Sequence, residues 1–400
     1  MRKVGIYQQC WEQADADQRL VGLIAQILSE NHEVELVHHQ PDLRREELEQ
    51  RLGLDLHRAA FRCLEPLEIG EDPRGFLKIS TDRLEELSAG YDVFLNACNV
   101  PPLPNRAKCG ILLTQFPQYD PESFYPSEQP DGGKNWFWNL LGGKNRKEKR
   151  DWQKRFFSYH HCWCLSEYAC QWCGKRWGEP ARILDPVIRK NEIEAEKTHS
   201  ITAIGRLERR NSDRLDMAIN VFQDLCDRKF ARLNLTDDWT LRLICWGAGE
   251  EADECLRQLK QKAFGYRVEF YVEPDWETQS RILAESEFFW CPRGFETDEM
   301  LEPEKVGNVD LPVLLAQDAG ALPIVFHAGG IAKIVRHEKN GILWRSYREL
   351  GDFTLGLLLQ KDYLPLFAQG ARENAALYGE NEFRANLRRL LDGILDVEMN

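Results

Sequence analysis

Three arginines follow the first predicted strand in the second half of the chain. That strand covers residues 201–204, and the loop GRLERR behind it carries Arg206, Arg209 and Arg210. The planar fork of an arginine side chain suits a diphosphate, and ligands of open parallel sheets bind where the strands end. The loop therefore predicts a diphosphate site, and the alternative is a set of solvated surface arginines.

A carboxylate stands in the same position behind another predicted strand, residues 288–291. Glu296, in the sequence CPRGFETDEM, can accept hydrogen bonds there from sugar or ribose hydroxyls. Because Glu299, Glu302 and Glu304 lie close by in the sequence, the alternative is that Glu296 is one of several solvated loop acids. Its position directly behind a strand favours a role in binding.

Two glycine turns follow further predicted strands. WGAG, with Gly247, lies behind residues 241–245, and HAGG, with Gly329 and Gly330, lies behind residues 324–326. Glycine lets a ligand approach backbone N–H groups that no side chain covers. The GxGxxG pattern of nicotinamide dinucleotide sites is missing, which disfavours a nicotinamide enzyme built from two doubly wound domains.

Strands alternate with helices in both halves of the chain. The first series begins at residues 4–7, the second begins at residue 201, and the charged residues 189–199 are predicted to link them. Such alternation is typical of parallel sheets with helices on both faces. The sequence therefore predicts an α/β protein of two facing Rossmann-like doubly wound domains, residues 1–190 and 198–375, with a last amphipathic helix within residues 376–400.

Composition limits the classes of function. The net charge of −13 disfavours a general nucleic-acid binder, because phosphate backbones require a positive surface. The sequence shows no signal-peptide pattern and no apolar run of about eighteen residues, and its twelve cysteines lack the spacing of a disulfide scaffold. We therefore expect a cytoplasmic protein with reduced thiols. For the closely spaced cysteines buried thiols are favoured over a metal site, and these are Cys162, Cys164, Cys170 and Cys173.

Residues 136–155 have an unusual composition. Trp136, Phe137 and Trp138 are followed by a basic run that ends with Lys154 and Arg155. Aromatic residues beside basic ones could dock at an anionic membrane surface or hold a lipid-linked or acidic acceptor. The alternative is a loop that buries its tryptophans in the first domain. Peripheral contact with the inner face of a membrane is thus one of two open hypotheses.

With these pieces in order, the chain resembles the family 4 glycosyltransferases, nucleotide-sugar enzymes of the GT-B fold. The resemblance is clearest in AIGRLERR, LRLICWGAG, SEFFWCPRGFE, LLAQDAGALPIVFHAGG and EKNGIL, and it is looser in YDVFLNA, ILLTQFPQ and LSEYACQWCGKRWGEPARILDPV. The final YGENEFRANLRRLL is similar to the family's last helix, which crosses back to the first domain. The resemblance implies a cleft between the domains, a nucleoside diphosphate sugar on the second domain and an acceptor entering from the first.

The resemblance also implies roles for single residues. Arg206 would face the diphosphate, with Arg209 or Arg210 in place of the lysine that usually follows, and Glu296 would hold the donor sugar. Arg206 and Glu296 are therefore the predicted catalytic residues. The other predicted site residues are Gly247, Gly329 and Gly330 on the donor side and Gln115 on the acceptor side. Such enzymes generally retain the anomeric configuration and need no metal or other cofactor.

The sequence departs from the family pattern in three places of the donor site. Leu315 stands where the family's second acid normally binds ribose, and the insertion EMLEPEKVGNVD makes Glu304 an alternative to Glu296 for the first acid. Asn211 or Asp213 stands where the family's lysine would be. The leading prediction is a glycosyltransferase acting on a glycan, lipid-linked or small-molecule acceptor. The alternative is a GT-B protein that binds nucleotide or glycan, or serves as a scaffold, without catalysis.

Overall fold

The computed structural model describes residues 1–9, 11, 16–65, 85–98, 104–117, 150, 152–208, 213–227 and 238–395. The chain divides into two compact units, one formed by Met1–Asp185 with Phe383–Asn400 and the other by Pro186–Glu382. Three residues of the predicted diphosphate loop, Arg209, Arg210 and Asn211, lie outside the described residues. So do residues 136–149 of the aromatic and basic segment.

The first unit contains a parallel sheet with helices packed against it. Its strands are β1 (Lys3–Tyr7), β2 (Glu33–His38), β3 (Ala60–Cys63), β4 (Val93–Asn96), β5 (Cys109–Thr114), β6 (His161–Cys164) and β7 (Arg182–Ile183), in the spatial order β3-β2-β1-β4-β5-β6-β7. Its helices are α1 (Ala16–Leu28), α2 (Arg45–Leu52) and α3 (Glu167–Trp177). The central strands β4 and β5 are buried at every position, as expected for strands covered on both faces. The predicted doubly wound architecture is confirmed for this unit.

The second unit contains another sheet whose strands are all parallel. Its strands are β8 (Thr198–Arg206), β9 (Thr240–Trp246), β10 (Val268–Val272), β11 (Ser286–Cys291), β12 (Leu322–Phe326) and β13 (Ile342–Trp344), in the spatial order β10-β9-β8-β11-β12-β13. Its helices are α4 (Leu215–Cys226), α5 (Glu250–Lys262), α6 (Trp276–Glu285), α7 (Leu311–Asp318), α8 (Ile331–Ile334), α9 (Tyr347–Leu359) and α10 (Leu364–Ala376). Large aromatic side chains fill the core on one face of this sheet, among them Phe222, Trp239, Phe288, Trp290 and Trp344. This sheet also confirms the predicted architecture.

Helix α11 (Glu380–Leu395) ends the described chain, and from Phe383 onward it belongs to the first unit. Arg384 and Arg388 both form ion pairs with Glu30, at the end of α1. Nδ2 of Asn386 donates a 2.6 Å hydrogen bond to Oδ2 of Asp185. Polar contacts therefore hold this helix to the first unit, and its apolar face adds the buried Phe383, Leu387, Leu391 and Ile394.

The expectation of reduced thiols is wrong for one pair of cysteines. Cys164 ends β6, Cys170 lies in α3, and a disulfide joins them with their Cα atoms 6.0 Å apart. Cys162 and Cys173 contact each other and remain thiols. Strand residues two apart and helix residues three apart each share a face, so packing α3 on β6 places each strand cysteine opposite a helix cysteine. Sequence spacing alone does not reveal that register.

Little of the segment considered for membrane contact is described. Trp152 is buried and stacks on Phe156, with the two ring centroids 5.1 Å apart, beside the buried Leu112. None of the helices among the described residues combines the length and the apolar composition needed to cross a membrane. Membrane contact through Trp136 and its neighbours stays a prediction.

Candidate functional site at the carboxyl edge of the second sheet

The second sheet reverses its winding between β8 and β11. Strand β8 pairs with β9 on one side and with β11 on the other, although β9 and β10 intervene in the sequence. At such a switch point the loops behind the two strands diverge, and open parallel sheets bind ligands there. Arg206 is the last residue of β8, and Glu296 lies in the loop behind β11. The two predicted catalytic residues therefore flank the switch point.

Arg206 combines a fixed backbone with an exposed side chain. Its side chain is 63% exposed, and Nη1 lies 3.8 Å from a carboxylate oxygen of Glu208. Its backbone N–H donates a 2.7 Å hydrogen bond to Oδ2 of Asp213. A long, exposed ion pair such as that with Glu208 contributes little to stability, so an anionic ligand can displace it at small cost.

Glu296 is held by an arginine outside the predicted set. Nη1 of Arg214 donates to Oε2 of Glu296 at 2.8 Å and to the carbonyl oxygen of Phe295 at 3.0 Å, and its Nε donates to Asp216 at 3.2 Å. Burial lowers the pKa of Arg214, but the hydrogen bonds to Glu296 and Asp216 outweigh burial and raise the pKa overall. Arg214 therefore keeps its charge and fixes a carboxylate that is 65% exposed.

The backbone is strained on both sides of this ion pair. Arg214 has a φ of 52° and Glu296 a φ of 62°, in the left-handed region that residues other than glycine seldom adopt. Such a conformation costs about 1 kcal/mol or more and persists only where the surroundings enforce it, as they often do at functional sites. Here the hydrogen bond from the Thr297 N–H to the carbonyl oxygen of Gly294, at 3.0 Å, closes the turn around Glu296.

Two buried carboxylates form ion pairs with one partly buried arginine near these exposed charges. Nη2 of Arg293 is 2.5 Å from Oδ1 of Asp213, and its Nε is 3.2 Å from Oδ2 of Asp310. Burial raises the pKa of Asp310, and the nearby Arg293 offsets part of that rise. Cys291 donates its S–H to the same Oδ2 of Asp310 at 3.3 Å, and burial raises the pKa of this thiol. The sequence gives no sign of these pairings, because their members are far apart along the chain.

Gly247 lies at the same edge, directly behind β9. Its φ of 142° is in the region that favours glycine. Its N–H donates to a carboxylate oxygen of Glu273 at 3.3 Å. A Cβ on Gly247 would lie 3.2 Å from the Cβ of Leu207, so this turn packs closely against the loop that carries Arg206.

The glycines of the HAGG turn pack against the insertion that follows Glu296. A Cβ on Gly330 would lie 1.6 Å from the carbonyl oxygen of Asn308, and one on Gly329 would lie 2.5 Å from that of Gly307. The Gly330 N–H donates to the Gly307 oxygen at 3.0 Å. Gly330 is buried and Gly329 is half-buried. Neighbouring chain thus occupies one side of this turn, and a role of the two glycines in a donor pocket stays a prediction.

His327 opens the same turn and is paired with an arginine behind β13. Nε of Arg345 donates to Nδ1 of His327 at 2.9 Å, so Nδ1 of the histidine is the acceptor. Burial, with Arg345 next, lowers the pKa of His327. The histidine is therefore neutral at pH 7 and carries its proton on Nε2. This places a hydrogen-bond donor at the carboxyl edge of β12.

The two acids considered for donor binding have different surroundings. Leu315, at the position of the family's second acid, lies in α7 and packs against the apolar core on that side of the sheet. Glu304 lies in the short 3₁₀ turn Pro303–Lys305 and is exposed. Position 315 therefore serves packing, whereas Glu304 remains an accessible carboxylate.

Gln115 belongs to the first unit, where it directly follows β5 and is half-buried. The hydroxyl of Thr114 donates to the carbonyl oxygen of Phe116 at 3.0 Å and so shapes the turn that presents Gln115. Its role on the acceptor side stays a prediction. In the part of the chain that the structure describes, histidine, cysteine and acidic side chains form no group of three or more suited to a metal ion.

Comparison with known proteins finds a family match in the second unit. Residues 198–358 match the family described as Glycosyl transferases group 1, and this segment covers most of the second unit. Residues 198–358 thus carry a glycosyl transferases group 1 domain, in the part of the chain where the sequence resemblance is clearest. No curated protein matches the sequence significantly.

Solved structures show the same two-unit architecture. HepE of Anabaena in complex with UDP has a TM-score of 0.69 at 12% identity, over 98% of this chain and 100% of that chain. The same protein in complex with UDP-glucose has a TM-score of 0.68 at 14% identity, with the same coverage. Sucrose-phosphate synthase from Thermosynechococcus elongatus has a TM-score of 0.66 at 12% identity, over 99% of this chain and 100% of that chain. These likenesses confirm the GT-B fold.

Replacing Gly330 tests the packing of the HAGG turn. We expect Gly330→Ala to lower the free energy of unfolding by about 3 kcal/mol, because the new methyl group overlaps the backbone of Asn308. The matched control is Gly356→Ala, in the middle of α9, where a Cβ meets nothing within 4 Å. Alanine is the better helix former, so this variant should gain about 0.5–1 kcal/mol. Urea unfolding of both variants checks the prediction, and equal stability of the two would contradict it.

Proposed function

We propose that the chain transfers a sugar from a nucleoside diphosphate sugar to a hydroxyl group of an acceptor, with the donor bound at the carboxyl edge of the second sheet. The observation that carries the proposal is the placement of Arg206 and Glu296 on opposite sides of the β8–β11 switch point. The backbone of Arg206 is held by Asp213, the carboxylate of Glu296 is held by Arg214, and both side chains keep an exposed charge. A cation for the diphosphate and an acceptor for sugar hydroxyls are thus available at one ligand site.

The chemistry asked of these residues is simple. The leaving diphosphate gains negative charge as its bond to the sugar breaks, and a fixed guanidinium stabilises that charge more than it stabilises the intact donor. Arg206 is assigned this role, with Arg209 and Arg210 next to it in sequence. Glu296 accepts hydrogen bonds from the donor sugar and orients it. We further propose that transfer retains the anomeric configuration and depends on these arginines rather than on a metal ion.

The donor can be proposed by its nucleotide, and the acceptor by its chemical class. HepE, which shares the fold, was solved with UDP and with UDP-glucose, so a uridine donor is the first to test. The acceptor is proposed only by class, as a glycan, a lipid-linked sugar or a small molecule, entering on the side of Gln115. Action in the cytoplasm is part of the proposal.

A second candidate function is binding without catalysis. The observation that favours it is Leu315, whose partly buried apolar side chain packs against the core where the family resemblance places a ribose-binding acid. A chain that binds a nucleotide sugar but does not turn it over would fit this departure. Turnover separates the two candidates.

Arg206 can be tested by nucleotide binding. A ligand that binds only the folded state raises the melting temperature, so UDP at about 100 times its Kd should raise it by roughly 5 °C. GDP, ADP, CMP and NAD serve as comparison ligands. Arg206→Ala should weaken UDP binding by roughly 10- to 100-fold, because a charge-assisted contact is lost. Arg281→Ala removes a similarly exposed arginine that pairs with Glu277 on α6, and it should leave UDP binding unchanged. A shift with NAD alone would refute the proposed donor site.

Glu296 can be tested by turnover. Glu296→Gln keeps the size of the side chain but loses the charge that holds the sugar, so kcat/KM for UDP-glucose should fall by about 100-fold while UDP affinity changes little. The control is Glu304→Gln, which removes the competing exposed acid and should leave turnover near that of the unchanged chain. Release of UDP is the measurement. Loss of activity in the Glu304 variant alone would transfer the sugar-binding role to that residue, and absence of turnover in the unchanged chain with full UDP binding would favour the second candidate.

A further inference from the structure

The side chain of Arg293 connects three loops at the carboxyl edge of the second sheet. It is the second residue after β11, and it lies three residues before Glu296. Its guanidinium reaches Asp213, in the loop behind β8, and Asp310, at the start of α7. The two carboxylates have exposed fractions of 4% and 2%, so the charge of Arg293 compensates two carboxylates that are largely removed from water.

Asp213 links the position of the Arg293 guanidinium to that of the Arg206 backbone. One of its oxygens takes the Arg293 contact at 2.5 Å, and the other accepts the backbone N–H of Arg206 at 2.7 Å. Because a carboxylate is planar and rigid, the position of the guanidinium fixes where the Arg206 backbone leaves β8. The space around Asp213 is also closed, since a Cβ on Gly205 would lie 2.8 Å from its Cβ.

A short turn links the position of Arg293 to that of Glu296. The Phe295 N–H donates to the carbonyl oxygen of Pro292 at 3.1 Å, and Gly294 has a φ of 81°. From the other side, Arg214 holds both the Phe295 carbonyl and the Glu296 carboxylate. Asp213 and Arg214 are neighbours in the sequence, and both contact the loop behind β11. Asp213 pairs with Arg293 of that loop, and Arg214 pairs with Glu296.

We propose that Arg293 is a positioning residue for donor binding, because it sets the separation between Arg206 and Glu296 through its contacts with Asp213 and Asp310. The planar guanidinium of Arg293 can contact two carboxylates at once, as this positioning role requires. Nη2 faces a carboxylate oxygen of Asp213 at 2.5 Å and Nε faces one of Asp310 at 3.2 Å, and the single ammonium group of lysine cannot reproduce both ion pairs in the same geometry. The functional part of the inference rests on the proposed donor site, whereas the structural part does not.

The structural part is tested by Arg293→Lys, which keeps the charge and loses the fork. In the unchanged chain the Arg206 amide is hydrogen-bonded to a buried carboxylate, so it should exchange its hydrogen slowly. We expect its exchange to speed up by about tenfold or more in the variant, because a tenfold change needs only about 1.4 kcal/mol. This measurement needs no ligand, and it stands even if UDP does not bind.

The matched control is Arg242→Lys. Arg242 also links two carboxylates, Glu285 at 2.7 Å and Glu269 at 3.4 Å, and its side chain is 15% exposed. It lies near the amino end of β9, at the edge opposite Arg206. Its lysine variant should leave the exchange of the Arg206 amide unchanged.

The functional part is tested with the same two variants and UDP as the probe. Arg293→Lys should weaken UDP binding by about tenfold and lower kcat/KM for UDP-glucose by about 100-fold, because small displacements of binding groups have effects of that size. Arg242→Lys should change neither. Unchanged amide exchange in Arg293→Lys, or equal losses in both variants, would overturn the inference. Failure of the unchanged chain to bind UDP would refute the proposed donor instead.

Discussion

The carboxyl edge of the second sheet depends on one buried ion cluster, Asp213 with Arg293 and Asp310. Removing one partner of a buried ion pair costs about 3–5 kcal/mol, so the three side chains require one another. Their spacing in the sequence means that they can meet only when β8, β11 and α7 are all in place. The cluster therefore couples formation of the sheet to the shape of the loops above it. Gly307 completes the arrangement, since a Cβ there would lie 3.1 Å from Cδ of Arg293.

Most of the fold could be predicted from the sequence, because buried parallel strands are short apolar runs between turn residues. The strands predicted at residues 4–7, 288–291 and 324–326 differ from the observed β1, β11 and β12 by two residues at most. The start of β8 could not be predicted, because Thr198 and His199 are polar and exposed residues at the amino end of an otherwise buried strand. The Cys164–Cys170 disulfide was missed for a related reason, since it depends on the register of α3 on β6.

Site residues could be predicted from the sequence only where they lie at or just behind the end of a strand, because this alone places them at the carboxyl edge of the sheet. Arg206 ends β8, Glu296 lies in the loop behind β11, and the order of the strands brings those ends together. Arg214, Arg293 and Asp310 act through contacts across the sheet, which no local pattern encodes. Leu315 differs from these residues, because the sequence alone shows that an apolar residue stands at the position of the family's second acid. The structure adds the reason, since Leu315 packs against the apolar core. A donor bound here would have its ribose held by other groups, and the neutral His327 is a hydrogen-bond donor at the same edge.

The central claim is that a nucleoside diphosphate binds across the β8–β11 switch point. A crystal structure of the full chain grown with UDP tests this most directly, because it locates both phosphates relative to named side chains. We expect the diphosphate at the carboxyl ends of β8 and β11, with a phosphate oxygen within about 3 Å of the Arg206 guanidinium. A well-ordered UDP bound elsewhere, with Arg206 still facing Glu208, would contradict it.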